Sequence, residues 1–261
     1  MHFIVCIKQV PNTTNVQIDQ KTGTLKREGV ESIINPFDEY AIEEAIRLKE
    51  RFGGKTTVIT MGPPQAETAL REAIGRGIDN AVLVTDRAFA GADTWATSYT
   101  LASAIKTLGD YDVIICGKQA TDGDTAQVGP GVAEMLDIPH VAYVKKIETI
   151  DDKSMKVERM MEDGYDLIEM PLPALISVVK EINSPRLPSL RGMMNAKKAV
   201  IQKMTAVDIK AEAQRIGLTG SPTQVLKIFS PAARPGGEVL QGSPEEVATN
   251  LVSKLKNTQL I

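Results

Sequence analysis

Aromatic, histidine and cysteine residues are scarce in this chain of 261 residues. Only 4% of the residues are aromatic, and the chain has two histidines and two cysteines. Neither His2 nor His140 has partners at metal-ligand spacing, so the pattern predicts no metal site. Cys6 and Cys116 each end an apolar run, which favours two buried thiols over a disulfide, and reduced thiols are typical of the cytoplasm.

Long apolar runs and the common catalytic and nucleotide-binding fingerprints are also missing. The first apolar stretch, Phe3–Ile7, stops at Lys8 and is too short for a signal peptide, so we expect a cytoplasmic protein with no membrane span. The sequence contains no GxGxxG motif after that stretch, no GxxxxGK[ST] motif and no catalytic triad. The 30 basic residues are scattered and the net charge is −3, which argues against nucleic acid as a partner.

Short apolar segments alternate with amphipathic segments over the first 140 or so residues. The apolar segments are rich in Val and Ile, as in strands buried on both faces of a parallel sheet: 3–7, 57–61, 81–84 and 113–116. The segments between them have apolar residues at helical spacing: 41–48, 66–74, 98–105 and 128–136. This alternation predicts an α/β fold with an open, mostly parallel sheet and helices on both faces.

The pattern changes after Pro139. We predict a small antiparallel addition over about residues 141–170, because three strand-like segments with interspersed charges follow one another: 141–150, 156–161 and 165–170. A further buried strand is predicted at 174–179, where the residues are again apolar. Residues 1–182 are therefore expected to form one α/β nucleotide-binding domain.

Residues 183–261 are rich in proline and glycine and offer little material for a core of their own. We predict an extended arm that lies on a partner subunit, since an ordered segment without a core needs another surface. The alternative is a disordered tail. Ser243 is a suitable N-cap and Pro244 suits the first helical position, so a helix is predicted to run from there to about Lys256.

Four polar loops adjoin the predicted strands and helices. The longest runs from Gly117 to Gly131 and leads from the fourth strand into the fourth helix, whose first turn is expected to contain Pro130. Its glycines let backbone amides approach a ligand, and the helix N-terminus offers unpaired N–H groups to phosphate. The other three loops are Asn35–Asp38, the turn after Met61, and Gly91–Ser98.

Each loop alone also has an ordinary structural explanation. Asp38 would cap the helix that follows it, and Asp93 or Thr94 would cap the third helix. Their common position favours a shared role, because ligands of open α/β sheets lie at the carboxyl ends of the strands, where the strand order reverses. If the first and fourth strands are neighbours, Cys6 and Gly117 meet at that point and the loops enclose a nucleotide crevice.

Several runs of the sequence, in their order, resemble the beta subunits of electron-transfer flavoproteins. The matching runs cover nearly the whole chain and include VCIKQVP, INPFDEYAIEEAIRLKE, TMGPPQAETALREA, GKQATDGDTAQVGPGVAE, LPALISVVKEINSPRLPSL and MNAKK. The resemblance implies a Rossmann-like nucleotide-binding domain of the HUP type. It also implies a heterodimer in which the arm wraps around the alpha subunit.

The resemblance carries the family's nucleotide contacts onto this chain. They correspond to three short sites and to one longer segment that runs from Gly123 to Glu134. The short sites are Cys6, the four residues Asn35, Pro36, Phe37 and Asp38, and Met61. The contacts in the longer segment are Gly123, Asp124, Thr125, Ala126, Gln127, Val128, Gly129, Pro130 and Gly131. In ordinary members this site holds AMP, and the single FAD lies mainly with the alpha subunit. In electron-bifurcating members the site holds a second FAD.

One further run is similar to the bifurcating members. Their AFAGADT-x-ATS pattern recurs here at Ala88–Ser98. The resemblance implies that Asp93, Thr94, Thr97 and Ser98 hold the FAD diphosphate and ribityl chain. It further implies that NADH gives a hydride to this FAD, that one electron goes to ferredoxin or flavodoxin, and that the other goes to the alpha-subunit FAD.

The alpha-subunit FAD would then feed a flavin dehydrogenase, such as a relative of acyl-CoA dehydrogenases or a lactate dehydrogenase. Because the redox chemistry belongs to the cofactors, we expect no catalytic acid or base among the side chains. Pro185–Leu190 resembles the family's recognition loop, in which Leu187 and Leu190 would dock on the dehydrogenase. The alternative is that Leu190 packs internally.

Two other functions stay open from the sequence. The first is an ordinary AMP-binding subunit that only relays electrons, which the run at Ala88–Ser98 argues against. The second is a stand-alone nucleotide-binding regulatory protein of similar fold, which the long arm argues against.

Overall fold

The computed structural model describes residues 1–12, 32–226 and 236–261. The chain divides into two compact units, Met1–Leu226 and Lys227–Ile261. Residues 227–235 of the predicted arm lie outside the described residues. Among the helices described, none has the length and the apolar composition needed to cross a membrane.

The first unit contains eleven strands and five α-helices in the described ranges. In its first half these are β1 His2–Cys6, β2 Gln9–Pro11, β3 Ser32–Ile34, α1 Pro36–Phe52, β4 Lys55–Met61, α2 Glu67–Arg76, β5 Asn80–Val84, α3 Thr94–Leu108 and β6 Val113–Gly117. In its second half they are α4 Val128–Leu136, β7 His140–Ile150, β8 Ser154–Met160, β9 Tyr165–Pro171, β10 Ala174–Val178, α5 Leu190–Lys198 and β11 Gln202–Met204.

Nine of the described strands form one sheet in the order β11-β5-β4-β1-β6-β10-β7-β8-β9. Neighbouring strands are parallel from β11 to β7, and β8 and β9 continue the sheet in antiparallel pairing. The short strands β2 and β3 form a separate antiparallel pair. The predicted α/β class, with its mostly parallel sheet, is confirmed.

The sheet is buried on both faces, and most positions of its central strands are apolar. Phe3 and Val5 of β1 pack with residues of α1, α2 and α5, whereas Ile4 and Cys6 pack with residues of α3 and α4. A side chain of this size contributes about 1.5–3 kcal/mol when it is fully removed from water. The helices therefore cover the two faces of the sheet, as the alternating pattern predicted.

The predicted antiparallel addition begins later than expected. The first residues of β7 pair in parallel with β10, where His140 is opposite Leu175 and Val141 is opposite Ile176. Antiparallel pairing with β8 starts at Val144. The expectation that the whole of 141–150 is antiparallel was wrong, because this eleven-residue strand is long enough to serve both neighbours.

The compact first unit extends well beyond residue 182, where we expected the arm to begin. Helix α5 packs against α2, and Gly192 of α5 approaches Gly75 of α2 so closely that a Cβ on Gly192 would overlap the Gly75 carbonyl oxygen. Strand β11 adds to the main sheet beside β5. The glycines after residue 182 suggested a segment without a core of its own. In the structure, Gly192 instead allows two helices to pack closely.

The second unit contains the predicted terminal helix, α6, at Pro244–Asn257. Ser243 caps it, the Glu246 side chain accepts a hydrogen bond from the Ser243 backbone N–H, and Pro244 is the first helical residue, so both predicted N-terminal signals are confirmed. The packing of this unit on a partner subunit stays a prediction.

Replacing Gly192 by alanine tests the packing of α5 on α2. We expect Gly192→Ala to lower the free energy of unfolding by about 2 kcal/mol, because the backbone at Gly75 must shift to admit the new methyl group. Urea denaturation measures this difference. Gly236→Ala is the matched control, since its Cβ would meet no atom within 4 Å. Equal stability of the two variants would contradict the close packing.

Candidate nucleotide-binding crevice

The strand order reverses between β1 and β6. Strand β1 has β4, the next main-sheet strand in the chain, on one side and β6 on the other, and Cys6 is opposite Cys116 at their carboxyl ends. The neighbourhood of the first and fourth predicted strands is thereby confirmed. Since ligands of such sheets lie at this point, the loops that leave β1 and β6 define the candidate crevice.

Asn35 is the residue that joins these loops. Its side chain is buried, donates to the Gln119 carbonyl at 2.8 Å, and accepts the Thr121 N–H at 3.0 Å. Its backbone N–H donates to the Lys8 carbonyl at 2.9 Å. Through its backbone and its side chain, Asn35 thus connects the segment after β1, the start of α1 and the loop after β6.

Asp38 lies directly beneath this connection. Its buried carboxylate accepts the Lys8 backbone N–H at 2.7 Å and the Asn35 side-chain N–H at 2.9 Å. Burial raises the pKa of Asp38 to about 7, against the hydrogen bonds from Asn35, Lys8 and the Gly117 N–H, which favour the charged form. The role of Asp38 as an N-cap was wrong: Asn35 holds the N-cap position, and Asp38 faces the strand ends inside the first turn.

Gly117 allows α1 to approach the end of β6. A Cβ at this position would overlap Asp38 and the backbone of Phe37. The glycine that follows the strand therefore serves close packing of a helix start, and it leaves its N–H directed at the Asp38 carboxylate. Any larger residue at Gly117 would push the loop away from α1.

The loop that follows, 118–127, is held in an open shape by polar contacts. Lys8 and Asp122 form an ion pair of 2.6 Å, and Gln119 contacts Asp124. Asp124 and Ala126 both have positive φ, 54° and 55°, a conformation that side chains other than glycine seldom adopt. No side chain caps α4, and the first N–H groups of a helix have no partner within the helix.

Helix α3 begins beside α4. The buried Ser98 hydroxyl donates to the Thr94 carbonyl at 2.7 Å and lies 3.3 Å from the Val128 carbonyl oxygen. A Cβ on Gly131 would overlap the Ser98 side chain, so this glycine lets the two helices approach. Ser98 is therefore positioned between helices, and its predicted contact with a ligand stays a prediction.

Asp93 has a structural role that sequence reasoning foresaw only in part. One carboxylate oxygen caps α3 by accepting the Trp95 and Ala96 N–H groups at 3.0 Å each. The other accepts the Thr223 N–H at 3.0 Å and the Thr223 hydroxyl at 2.8 Å. The predicted cap is confirmed, and both oxygens are occupied by partners within the chain.

The other predicted site residues divide between the crevice and its margins. Pro36 and Phe37 begin α1, and Pro130 lies in the first turn of α4, as predicted. The residues Gly123, Asp124, Thr125, Gln127 are exposed in the loop, Ala126 is half-buried there, and Val128, Gly129 and Gly131 begin α4. Met61 ends β4, half-buried against the core on the α3 and α4 face.

Lys8, Gly117 and Gln119 are structural parts of the site that were not among the predicted contacts. A lysine or glycine that immediately follows a buried strand is a usable signal, because such residues lie at the carboxyl edge of the sheet. Gln119 had no such signal, since its partners Asn35 and Asp124 are brought to it only by the fold.

The predicted docking residues lie outside the crevice and are exposed. Leu187 has 86% and Leu190 has 79% of its surface accessible, so internal packing of Leu190 is excluded in this unit. Arg186 holds the segment on α1 through hydrogen-bonded ion pairs with Glu43 and Glu50. Leu190 is the first residue of α5, capped by Ser189, and is not inside a loop as expected.

Replacing Asp38 by asparagine tests the buried carboxyl. Between about pH 4 and 7 the folded chain keeps the Asp38 proton that the unfolded chain releases, because the pKa rises from 3.8 to about 7 on folding. This group therefore makes the folded state less stable as the pH rises through that window. From about pH 5 to about pH 8, we expect the free energy of unfolding of wild type to fall by at most about 3 kcal/mol more than that of Asp38→Asn.

Urea unfolding at the two ends of that pH range measures the difference. Asp152→Asn is the control, since Asp152 is an exposed aspartate. Parallel stability profiles for wild type and Asp38→Asn would contradict a protonated, buried Asp38.

Comparison with known proteins identifies the family. The family model described as the electron transfer flavoprotein domain matches residues 22–209. The chain is 52% identical to the electron transfer flavoprotein subunit beta of Thermoanaerobacterium thermosaccharolyticum, over 100% of both chains. It is 51% identical to the caffeyl-CoA reductase-Etf complex subunit CarD of Acetobacterium woodii, again over 100% of both. It is 44% identical to protein FixA of Bradyrhizobium diazoefficiens, over 98% of this chain and 91% of that protein. The chain therefore belongs to the electron transfer flavoprotein family, among its beta subunits.

Proposed function

We propose that this chain is the beta subunit of an electron-bifurcating flavoprotein and that an FAD lies in the crevice at the ends of β1 and β6. The contact between α3 and α4 is the observation that carries the proposal. Ser98 lies 3.3 Å from the Val128 carbonyl oxygen, so the two helices begin side by side. Helix N-termini favour phosphate groups, and the uncapped start of α4 beside α3 would favour the diphosphate of a dinucleotide.

The groups around the crevice fit the chemistry of FAD. Among the described residues, the hydroxyls of Thr94 and Thr97 form no hydrogen bond, and both residues are half-buried at the start of α3. Helix α4 has no side-chain cap. Hydroxyl and N–H donors are the partners that diphosphate and ribityl oxygens accept. Asp93 would contribute by ordering α3, because both of its oxygens are already occupied.

A bound FAD supplies hydride and one-electron chemistry that side chains lack. The residues of the chain bind and orient the cofactor. Asn35 and Asp38 shape the loop that faces it, and Thr94 and Thr97 hold its polar part. Asp38 takes part as a buried group that fixes the floor of the crevice.

NADH is the proposed hydride donor, and ferredoxin or flavodoxin the proposed one-electron acceptor. The proposed heterodimer with an alpha subunit would carry a second FAD, which feeds a flavin dehydrogenase in the cytoplasm. A relative that is 51% identical is named as a subunit of a caffeyl-CoA reductase-Etf complex, which supports an acyl-CoA dehydrogenase relative over a lactate dehydrogenase.

Counting the nucleotides of the purified heterodimer tests the proposal. We expect two FAD per heterodimer, because the hydroxyls at the start of α3 would bind parts of FAD that AMP lacks. One FAD with one AMP would contradict bifurcation and support the ordinary relay subunit. A monomer that binds ATP and no flavin would overturn both readings.

The same count on a double variant tests the residues of α3. Thr94→Val with Thr97→Val is expected to lower FAD occupancy of the beta subunit by about tenfold, since two donors to the cofactor are lost. Thr107→Val, at the far end of the same helix, is the control. Full occupancy in the double variant would count against the proposed contacts.

Replacing Leu190 by alanine tests the docking surface. The exposed Leu190 begins a helix that is held on α2, and Arg186 fixes the preceding segment, so the side chain is a preorganised anchor. Leu190→Ala is expected to slow electron transfer to the dehydrogenase about tenfold while both flavins stay bound. Leu167→Ala on β9 is the control. Equal coupled activity in both variants would refute the docking role.

A further inference from the structure

The two cysteines of the chain are opposite each other across neighbouring strands. Cys6 at the end of β1 and Cys116 near the end of β6 are register partners, and both pack on the face covered by α3 and α4. Neighbouring strands are about 4.8 Å apart, so the two Cα atoms lie at a separation that a disulfide can bridge. Both thiols are free.

This pair forms part of the floor of the crevice. A Cβ on Gly129, in the first turn of α4, would lie 3.7 Å from the Cys116 sulfur and 3.6 Å from Cδ2 of Leu175, so α4 begins next to the thiol. Cys6 keeps 8% and Cys116 keeps 7% of its surface accessible at these strand ends. The pair therefore lies just beneath the surface at the carboxyl ends of β1 and β6.

We propose that Cys6 and Cys116 are a reversible oxidation site that closes to a disulfide when a peroxide reaches the empty crevice. Hydrogen peroxide oxidises one thiol to a sulfenic acid and releases one water. The second thiol attacks that sulfur, the S–O bond breaks, and a second water leaves as the S–S bond forms. Two electrons and two protons pass from the thiols to one peroxide, so the reaction balances.

The surroundings of Cys116 keep its thiol protonated. The Cys6 thiol, then burial and the Asp38 carboxylate, raise the pKa of Cys116. Thiolate is the reactive form, so oxidation at neutral pH is slow and depends on access to the crevice. FAD bound in the crevice would cover the two cysteines and protect them from peroxide. This expected protection rests on the proposed function.

The test uses the full chain with its alpha subunit, stripped of nucleotide and treated with hydrogen peroxide. We expect a mass loss of two hydrogen atoms and, after digestion without reductant, one peptide that links Cys6 to Cys116. Dithiothreitol should restore the original mass. Cys6→Ala and Cys116→Ala should each abolish the linked peptide.

Saturating FAD is expected to slow formation of the linked peptide at least about tenfold, by excluding peroxide. Oxidation of wild type without any linked peptide would overturn the inference and leave the proposed function untouched. A linked peptide that forms at equal rates with and without bound FAD would contradict a nucleotide above this pair, and hence the proposed site. The digest of the wild-type protein shows whether the disulfide forms, even if a variant fails to fold.

Discussion

The buried amide of Asn35 is the interaction on which the crevice depends. It donates to Gln119 and accepts from Thr121, and its backbone binds Lys8, so three separate segments share one residue. The two side-chain bonds contribute about 1 kcal/mol net each and are lost with the Asn35 side chain, whereas the backbone bond to Lys8 remains. Asn35 therefore fixes the position of the loop relative to β1 and α1.

The rest of the site follows from that connection and from the strand order. Once the loop after β6 is fixed to the start of α1, α4 begins over the strand ends, with Gly129 above Cys116. Ser98 then sets the distance between α3 and α4. The crevice, the two helix N-termini and the pair of thiols are thus consequences of one arrangement, and the exposed leucines at α5 belong to a different surface.

The sequence predicted what depends on local pattern. Strands buried on both faces are mostly apolar, so the α/β class and the crevice at β1 and β6 could be predicted, as could the caps at Asp93 and Ser243. Contacts between residues far apart in the sequence could not be predicted. Asp93, for example, meets Thr223 only in the folded chain. Helix α5 was missed for a related reason: Gly192 weakens a helical pattern and yet allows close packing on Gly75.

The most direct measurement of the central claim is nucleotide occupancy after loss of the Asn35 amide. Asn80→Ala is the matched control, since its side chain makes one long hydrogen bond of 3.5 Å to Thr56 outside the crevice. If Asn35 shapes the site, Asn35→Ala should purify with less than about a tenth of the wild-type beta-subunit nucleotide, and Asn80→Ala with all of it. Full occupancy in a folded Asn35→Ala protein would contradict the claim.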